Sequence, residues 1–103
     1  MKEARYFIGQ VVKHRLFGYR GVVFDADSCF EGTDEWYDNM ARSLPPKDEP
    51  WYRVLVHNGG YETYVAERNL APDDSGEPVE HPLVEVVFGS FQDGKYYVTR
   101  EPH

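Results

Sequence analysis

The chain has 103 residues, 41% of them apolar and 16% aromatic, which suits one compact domain and excludes a disordered chain. Its formal net charge of −7 argues against general nucleic-acid binding, because neutralising phosphates supplies nearly all non-specific affinity. No apolar run approaches the roughly 20 residues that span a bilayer, the start Met1-Lys2-Glu3-Ala4-Arg5-Tyr6 does not read as a signal peptide, and a single cysteine, Cys29, excludes an internal disulfide framework and fits a reducing cytoplasm.

In chain order, β-formers with partial alternation predict a first strand over residues 9–15. A turn follows at Gly18. A second strand over 21–27 is expected to place Val22, Phe24 and Ala26 on one face, with Val23, Asp25 and Asp27 on the other. The two strands form a hairpin with an aromatic, basic tip. Thr33 reads as a helix N-cap, with Asp34 and Glu35 favoured by the positive helix end. Trp36, Met40 and Tyr37 are expected to face the core from that helix, and Pro45-Pro46 ends it.

Trp51 to His57 is the third strand, and Asn58-Gly59-Gly60 is a hairpin turn, since Asn and Gly tolerate positive φ. Tyr61 to Ala66 is the fourth strand. Glu67 to Leu70 makes a single turn that returns Leu70 to the core, and Pro72 stops it. Residues 73–78 are a loop by composition. In Pro82 to Phe88, the proline suits a first helical turn while three valines favour a strand; the reading leans to a short helix. Asp93-Gly94 is a further turn. The sum is a mainly β chain: a small barrel or open roll of about five antiparallel strands over residues 1–74, one short inserted helix, and an extension over 75–103 that packs on the barrel or on a neighbouring subunit.

No catalytic constellation emerges. Cys29 lies between Asp27 and Glu31, and neighbouring carboxylates weaken a thiol nucleophile, so it reads as structural or incidental. His14, His57, His81 and His103 lack zinc spacing, and Asp25-Ala26-Asp27 lacks the remainder of a calcium loop. The reading is of a non-enzyme with neither metal nor cofactor. Tyr6, Tyr19, Trp36, Trp51, Tyr52, Tyr61 and Tyr64 include candidates for an aromatic cage around a methylated cation, although filling a core and rim is the more ordinary use of such residues.

Charge is polarised along the chain. Residues 1–24 carry five cations against Glu3 alone, residues 25–49 carry eight acids against Arg42 and Lys47, and residues 71–103 carry seven acids against Lys95 and Arg100. The first hairpin therefore offers Lys13, His14, Arg15, Tyr19 and Arg20 as candidate DNA contacts, with cations for phosphates and rings for bases; the alternative is a solvated turn. In the extension, Leu83, Val87, Phe88 and Phe91 are a candidate handle for a protein partner; the alternative, which is favoured, is that they pack on their own barrel or a neighbouring copy.

The run Gly9-Gln10-Val11-Val12-Lys13-His14-Arg15-Leu16-Phe17-Gly18-Tyr19-Arg20-Gly21-Val22-Val23-Phe24-Asp25-Ala26-Asp27 resembles the signature of the heat-shock protein HspQ family, also called the YccV-like hemimethylated-DNA-binding family. Thr33-Asp34-Glu35-Trp36, Pro50-Trp51-Tyr52-Arg53-Val54-Leu55, Thr63-Tyr64-Val65-Ala66-Glu67 and Asn69-Leu70 fit the same pattern in order, over about residues 7–74. The resemblance implies an SH3-like small β-barrel and two activities. One is hemimethylated-DNA binding that affects replication-initiator expression. The other is a heat-induced accessory role for the Lon protease, promoting breakdown of certain denatured proteins, the initiator among them. It also implies self-association as a trimer. Because the net charge opposes tight DNA binding, the protease role is placed first, with DNA binding as a second activity and the main alternative.

Overall fold

A computed structural model describes residues 3–41 and 43–98. Strands β1 (Val11–His14), β2 (Arg20–Asp27), β3 (Trp51–Val56), β4 (Glu62–Ala66) and β5 (Leu70–Pro72) form one antiparallel sheet in the order β4-β3-β2-β1-β5. No ladder among the described residues joins the end strands β4 and β5. Helix α1 (Asp34–Met40) is inserted between β2 and β3, and a 3-10 turn over Glu67–Asn69 separates β4 from β5. In the extension, helix α2 (Val84–Val87) leads into a two-stranded sheet of β6 (Phe88–Gln92) and β7 (Lys95–Val98). Among the described residues, no helix is long and apolar enough to cross a membrane.

Local chemistry accounts for the element ends. Thr33 Oγ1 accepts the Trp36 amide at 3.1 Å, so the cap forms where a β-region Thr precedes two acids. The β3–β4 turn uses Asn58 at φ 60° and Gly60 at φ 68°. The first strand is shorter than residues 9–15, because Gly9 sits at φ 99° and Arg15 already belongs to the turn.

The sheet is buried on both faces. Val12, Val23, Tyr52, Val54, Val65 and Leu70 pack with Tyr6 on one side. Val11, Val22 and Leu55 pack on the other against Val79, Phe88 and Tyr96 of the extension. Neighbours Val22 and Val23 are therefore both fully enclosed. The simple alternation expected for β2 fails after Val23. The β2–β3 register shifts between Val23 and Asp25, so Phe24 is an extra residue and the phase reverses beyond it. Phe24 stays with the Val22 side, whereas Ala26 joins the Val23 side.

A third cluster joins α1 to the sheet end, where Ala41, Trp51 and Ala66 pack with Phe30, Trp36, Tyr37 and Tyr64. Met40 does not join it and is 62% exposed, contrary to its helical spacing from Trp36. With only seven residues, α1 lies against the sheet end along its Trp36–Tyr37 side, and its last residue overhangs.

Candidate functional site

The first hairpin gathers Lys13, His14, Arg15, Tyr19 and Arg20 but assigns them different work. Lys13 and Arg15 are exposed, and neither forms an ion pair among the described residues. His14 points inward and is 5% exposed. Its Nδ1 accepts the amides of Leu16 and Phe17, each at 3.1 Å, and its ring lies 4.5 Å from Phe17 and 5.0 Å from Tyr19 between centroids. Burial pushes its pKa below the ordinary 6.5, which keeps Nδ1 free to accept. The Tyr19 hydroxyl lies 2.8 Å from Thr63 Oγ1, tying the hairpin to β4, and burial raises its pKa.

Arg20 is committed to the chain itself. Its Nε donates to Asp73 Oδ2 at 3.0 Å, and its Nη2 and Nη1 donate to the carbonyls of Glu77 at 2.6 Å and Pro78 at 3.4 Å. It thus latches the start of the extension to β2. Burial alone would raise the Asp73 pKa, but the Ser75 hydroxyl and the Arg20 guanidinium outweigh it and hold the carboxyl below its usual value. Of the five side chains proposed for DNA, Lys13 and Arg15 are exposed with no ion pair among the described residues, while His14, Tyr19 and Arg20 make internal bonds.

The proposed handle is divided in the same way. Phe88 is 4% exposed inside the sheet–extension core, and Val87 and Phe91 lean against that core. Leu83 is exposed, as is Val86 at 77%. The Tyr96 hydroxyl closes the layer, accepting the Val79 amide at 2.8 Å and donating to the Val79 carbonyl at 3.3 Å.

Of the cage candidates, Tyr6 and Tyr52 pack in the sheet core, whereas Tyr19, Trp36, Trp51, Tyr61 and Tyr64 line one groove. Tyr6 and Tyr52 meet edge to face at 5.5 Å. Trp36, Trp51 and Tyr64 stand 5.2–6.1 Å apart, with Phe30 filling between them. Tyr61 stands apart and exposed. Cys29 is half-buried, with Sγ 3.9 Å from Glu31 Oε2. Among the described residues, no three His, Cys, Asp or Glu side chains converge as metal ligands.

The feature that sequence reading missed is a groove of about 480 Å³ across β4. One wall is the β1–β2 turn, with Leu16 and Phe17; the other is α1 and the segment after it, with Trp36 and Met40. Leu16, Phe17, Met40 and Tyr61 are 55–64% exposed, so these apolar side chains border the groove without filling it. Among the described residues its charged lining is Arg53 and Glu62, 3.8 Å apart, with Asp25 3.9 Å from the same guanidinium. Two sequence signals pointed here: two large apolar residues directly before a turn glycine, at Leu16-Phe17-Gly18, and the aromatics Tyr19, Trp36, Trp51, Tyr61 and Tyr64, which line the groove.

F-box only protein 21 from Mus musculus is 36% identical over 100 residues, and the same protein from Pongo abelii and from Homo sapiens is 35% identical over the same length. Each alignment takes in 94% of this chain but only 15–16% of the relative, so the chain spans about one sixth of these proteins. Residues 4–95 match the family described as hemimethylated DNA-binding protein YccV-like, a span that includes the sheet, α1, the groove and most of the extension. The chain belongs to the YccV-like hemimethylated-DNA-binding family.

Proposed function

We propose that this member is a non-enzymatic, cytoplasmic accessory factor that promotes degradation of certain denatured proteins, the replication initiator among them, by the Lon protease. Hemimethylated-DNA binding is its second activity. We read the five-stranded sheet, with its 3-10 turn before β5, as an SH3-like barrel over residues 1–74, and residues 75–103 as an extension laid on it. Self-association as a trimer belongs to the same reading.

The observation that carries it is what the molecule exposes around its first hairpin. Two exposed cations, Lys13 and Arg15, stand beside the larger apolar surface of Leu16, Phe17, Met40 and Tyr61. Such a surface suits a polypeptide partner better than a phosphate backbone. The F-box relatives are consistent with this, since there the matching stretch is one part of a much longer protein. The test is degradation of a heat-denatured substrate by purified Lon. The chain should raise the initial rate several-fold, and an unchanged rate refutes the reading.

DNA binding is favoured by the family's own description and by the exposure of Lys13 and Arg15. Two phosphate contacts per chain give a log–log salt slope of about 2, and three copies acting together about 5. Gel shifts of hemimethylated and unmethylated duplexes across a salt series measure this. Equal affinity for the two duplexes removes methylation-state reading.

A further inference from the structure

We propose that the groove beside β4 is a docking site for an uncharged, apolar segment of polypeptide, which adds to the sheet as an extended strand along the free edge of β4. This deepens the protein-partner reading above by naming the site and the class of partner.

The hydrogen-bond register defines the edge. The Val56 amide donates to the Tyr61 carbonyl at 3.0 Å, and the Glu67 amide donates to the Pro50 carbonyl at 2.9 Å. Both pairs share the β3–β4 register that sets Val54 opposite Thr63 and Tyr52 opposite Val65. In an antiparallel ladder, bonded and non-bonded pairs alternate. Thr63 and Val65 therefore turn their backbone groups toward β3, while Glu62 and Tyr64 turn theirs away from it. Among the described residues, nothing bonds those outward amides and carbonyls. The β3–β4 ladder contains no bulge, and β4 itself contains neither Pro nor Lys, the usual guards of an exposed edge.

The surroundings select the occupant. β4 lies between the β1–β2 turn and α1, so its edge is recessed. An extended segment laid along Glu62 and Tyr64 would run between those two walls. Exposed Leu16, Phe17 and Met40 offer apolar contact to alternate side chains of such a strand, while its backbone pairs with Glu62 and Tyr64. Among the described residues, the formal charges lining the groove are Arg53 and Glu62, which answer each other, so the lining they form favours an uncharged segment.

The experiment uses fluorescence anisotropy with a labelled hexapeptide of alternating leucine and serine, blocked at both ends. Two further versions carry backbone N-methyl groups on either the odd or the even residues. The parent peptide should bind saturably and with little salt dependence. One N-methylated version should lose about tenfold or more in affinity while the other binds like the parent, because only one edge of the peptide faces β4. The double variant Leu16→Ser/Met40→Ser, altered at exposed positions and checked by circular dichroism, should lose about tenfold. Absence of saturable binding, equal binding of both N-methylated versions, or full affinity of the double variant overturns the proposal. So does sedimentation showing that the double variant dissociates an oligomer of the unaltered chain, since the groove would then be occupied by a second copy. The peptide assay contains no protease. Binding without stimulation of Lon sinks the accessory reading and spares the groove; stimulation without binding does the reverse.

Discussion

Replacing His14 tests whether the hairpin is shaped from within. In His14→Ala, the Leu16 and Phe17 amides lose their shared acceptor, each worth about 1 kcal/mol net. The full penalty for an unsatisfied buried amide does not apply, because Leu16 and Phe17 are exposed and water can reach the turn. Losing the ring contacts with Phe17 and Tyr19 removes about another 1 kcal/mol. The expected cost is about 3 kcal/mol, read as a lower urea midpoint at constant m-value. His14→Asn restores a side-chain acceptor and should recover roughly half of that loss. The pH dependence has a definite sign. Burial depresses the folded-state pKa below 6.5, so the contribution is complete above that value and is lost as pH falls through the depressed one. Wild type should lose up to about 1.4 kcal/mol per pH unit in that window, and His14→Ala should lack this component. A cost below about 1 kcal/mol, together with the same pH profile in both proteins, would refute an interior role for the ring.

Three other perturbations follow from the packing. Arg20→Ala should cost about 1–2 kcal/mol and speed amide exchange at Val79 and Tyr96, because the latch to Asp73, Glu77 and Pro78 is gone. With the Asp73 pKa held below 3.8, the latch should weaken as pH falls through that lowered value, which exchange at acidic pH can follow. Phe88→Ala should cost about 3–5 kcal/mol by thermal unfolding, as it empties the centre of the sheet–extension layer. Gly21→Ala places a Cβ 2.4 Å from Val54 Cγ1 and 2.6 Å from the Leu55 carbonyl oxygen, so about 1–3 kcal/mol of overpacking should appear as a lower urea midpoint.

What could be read from the sequence was whatever neighbouring residues decide. Thr33 with two following acids specifies a cap by itself, and Asn58-Gly59-Gly60 specifies a turn by itself. The bulge at Phe24 could not be read, because it depends on which β3 residue each β2 residue meets. Met40 does share a helical face with Trp36, but at Met40 that face borders the open groove instead of the core. The hairpin cations cluster in sequence, yet Arg20 is claimed by groups 53 to 58 residues away, which no local pattern announces. The groove depends on distant pieces in the same way, since it exists only where the turn, α1 and β4 meet.

The same long-range packing decides how the extension can be tested as a protein handle. Val11, Val22 and Leu55 lie within 0–3% exposure only because Val79, Phe88 and Tyr96 cover them. Deleting residues 75–103 would uncover that face and expose an apolar patch of the sort that aggregates. It would also remove Tyr96, whose amide donates to the Gly9 carbonyl at 2.9 Å and so steadies the entry to β1. Failure of the truncated chain to stimulate a protease would then report unfolding as readily as loss of contact. Substituting Leu83 and Val86 by serine avoids this, since both are exposed and neither belongs to the sheet–extension core. If the extension touches the protease, that double variant should keep its unfolding temperature and lose stimulation. Unchanged stimulation would remove the exposed side of α2 from the interface and leave the groove beside β4 as the surface to examine.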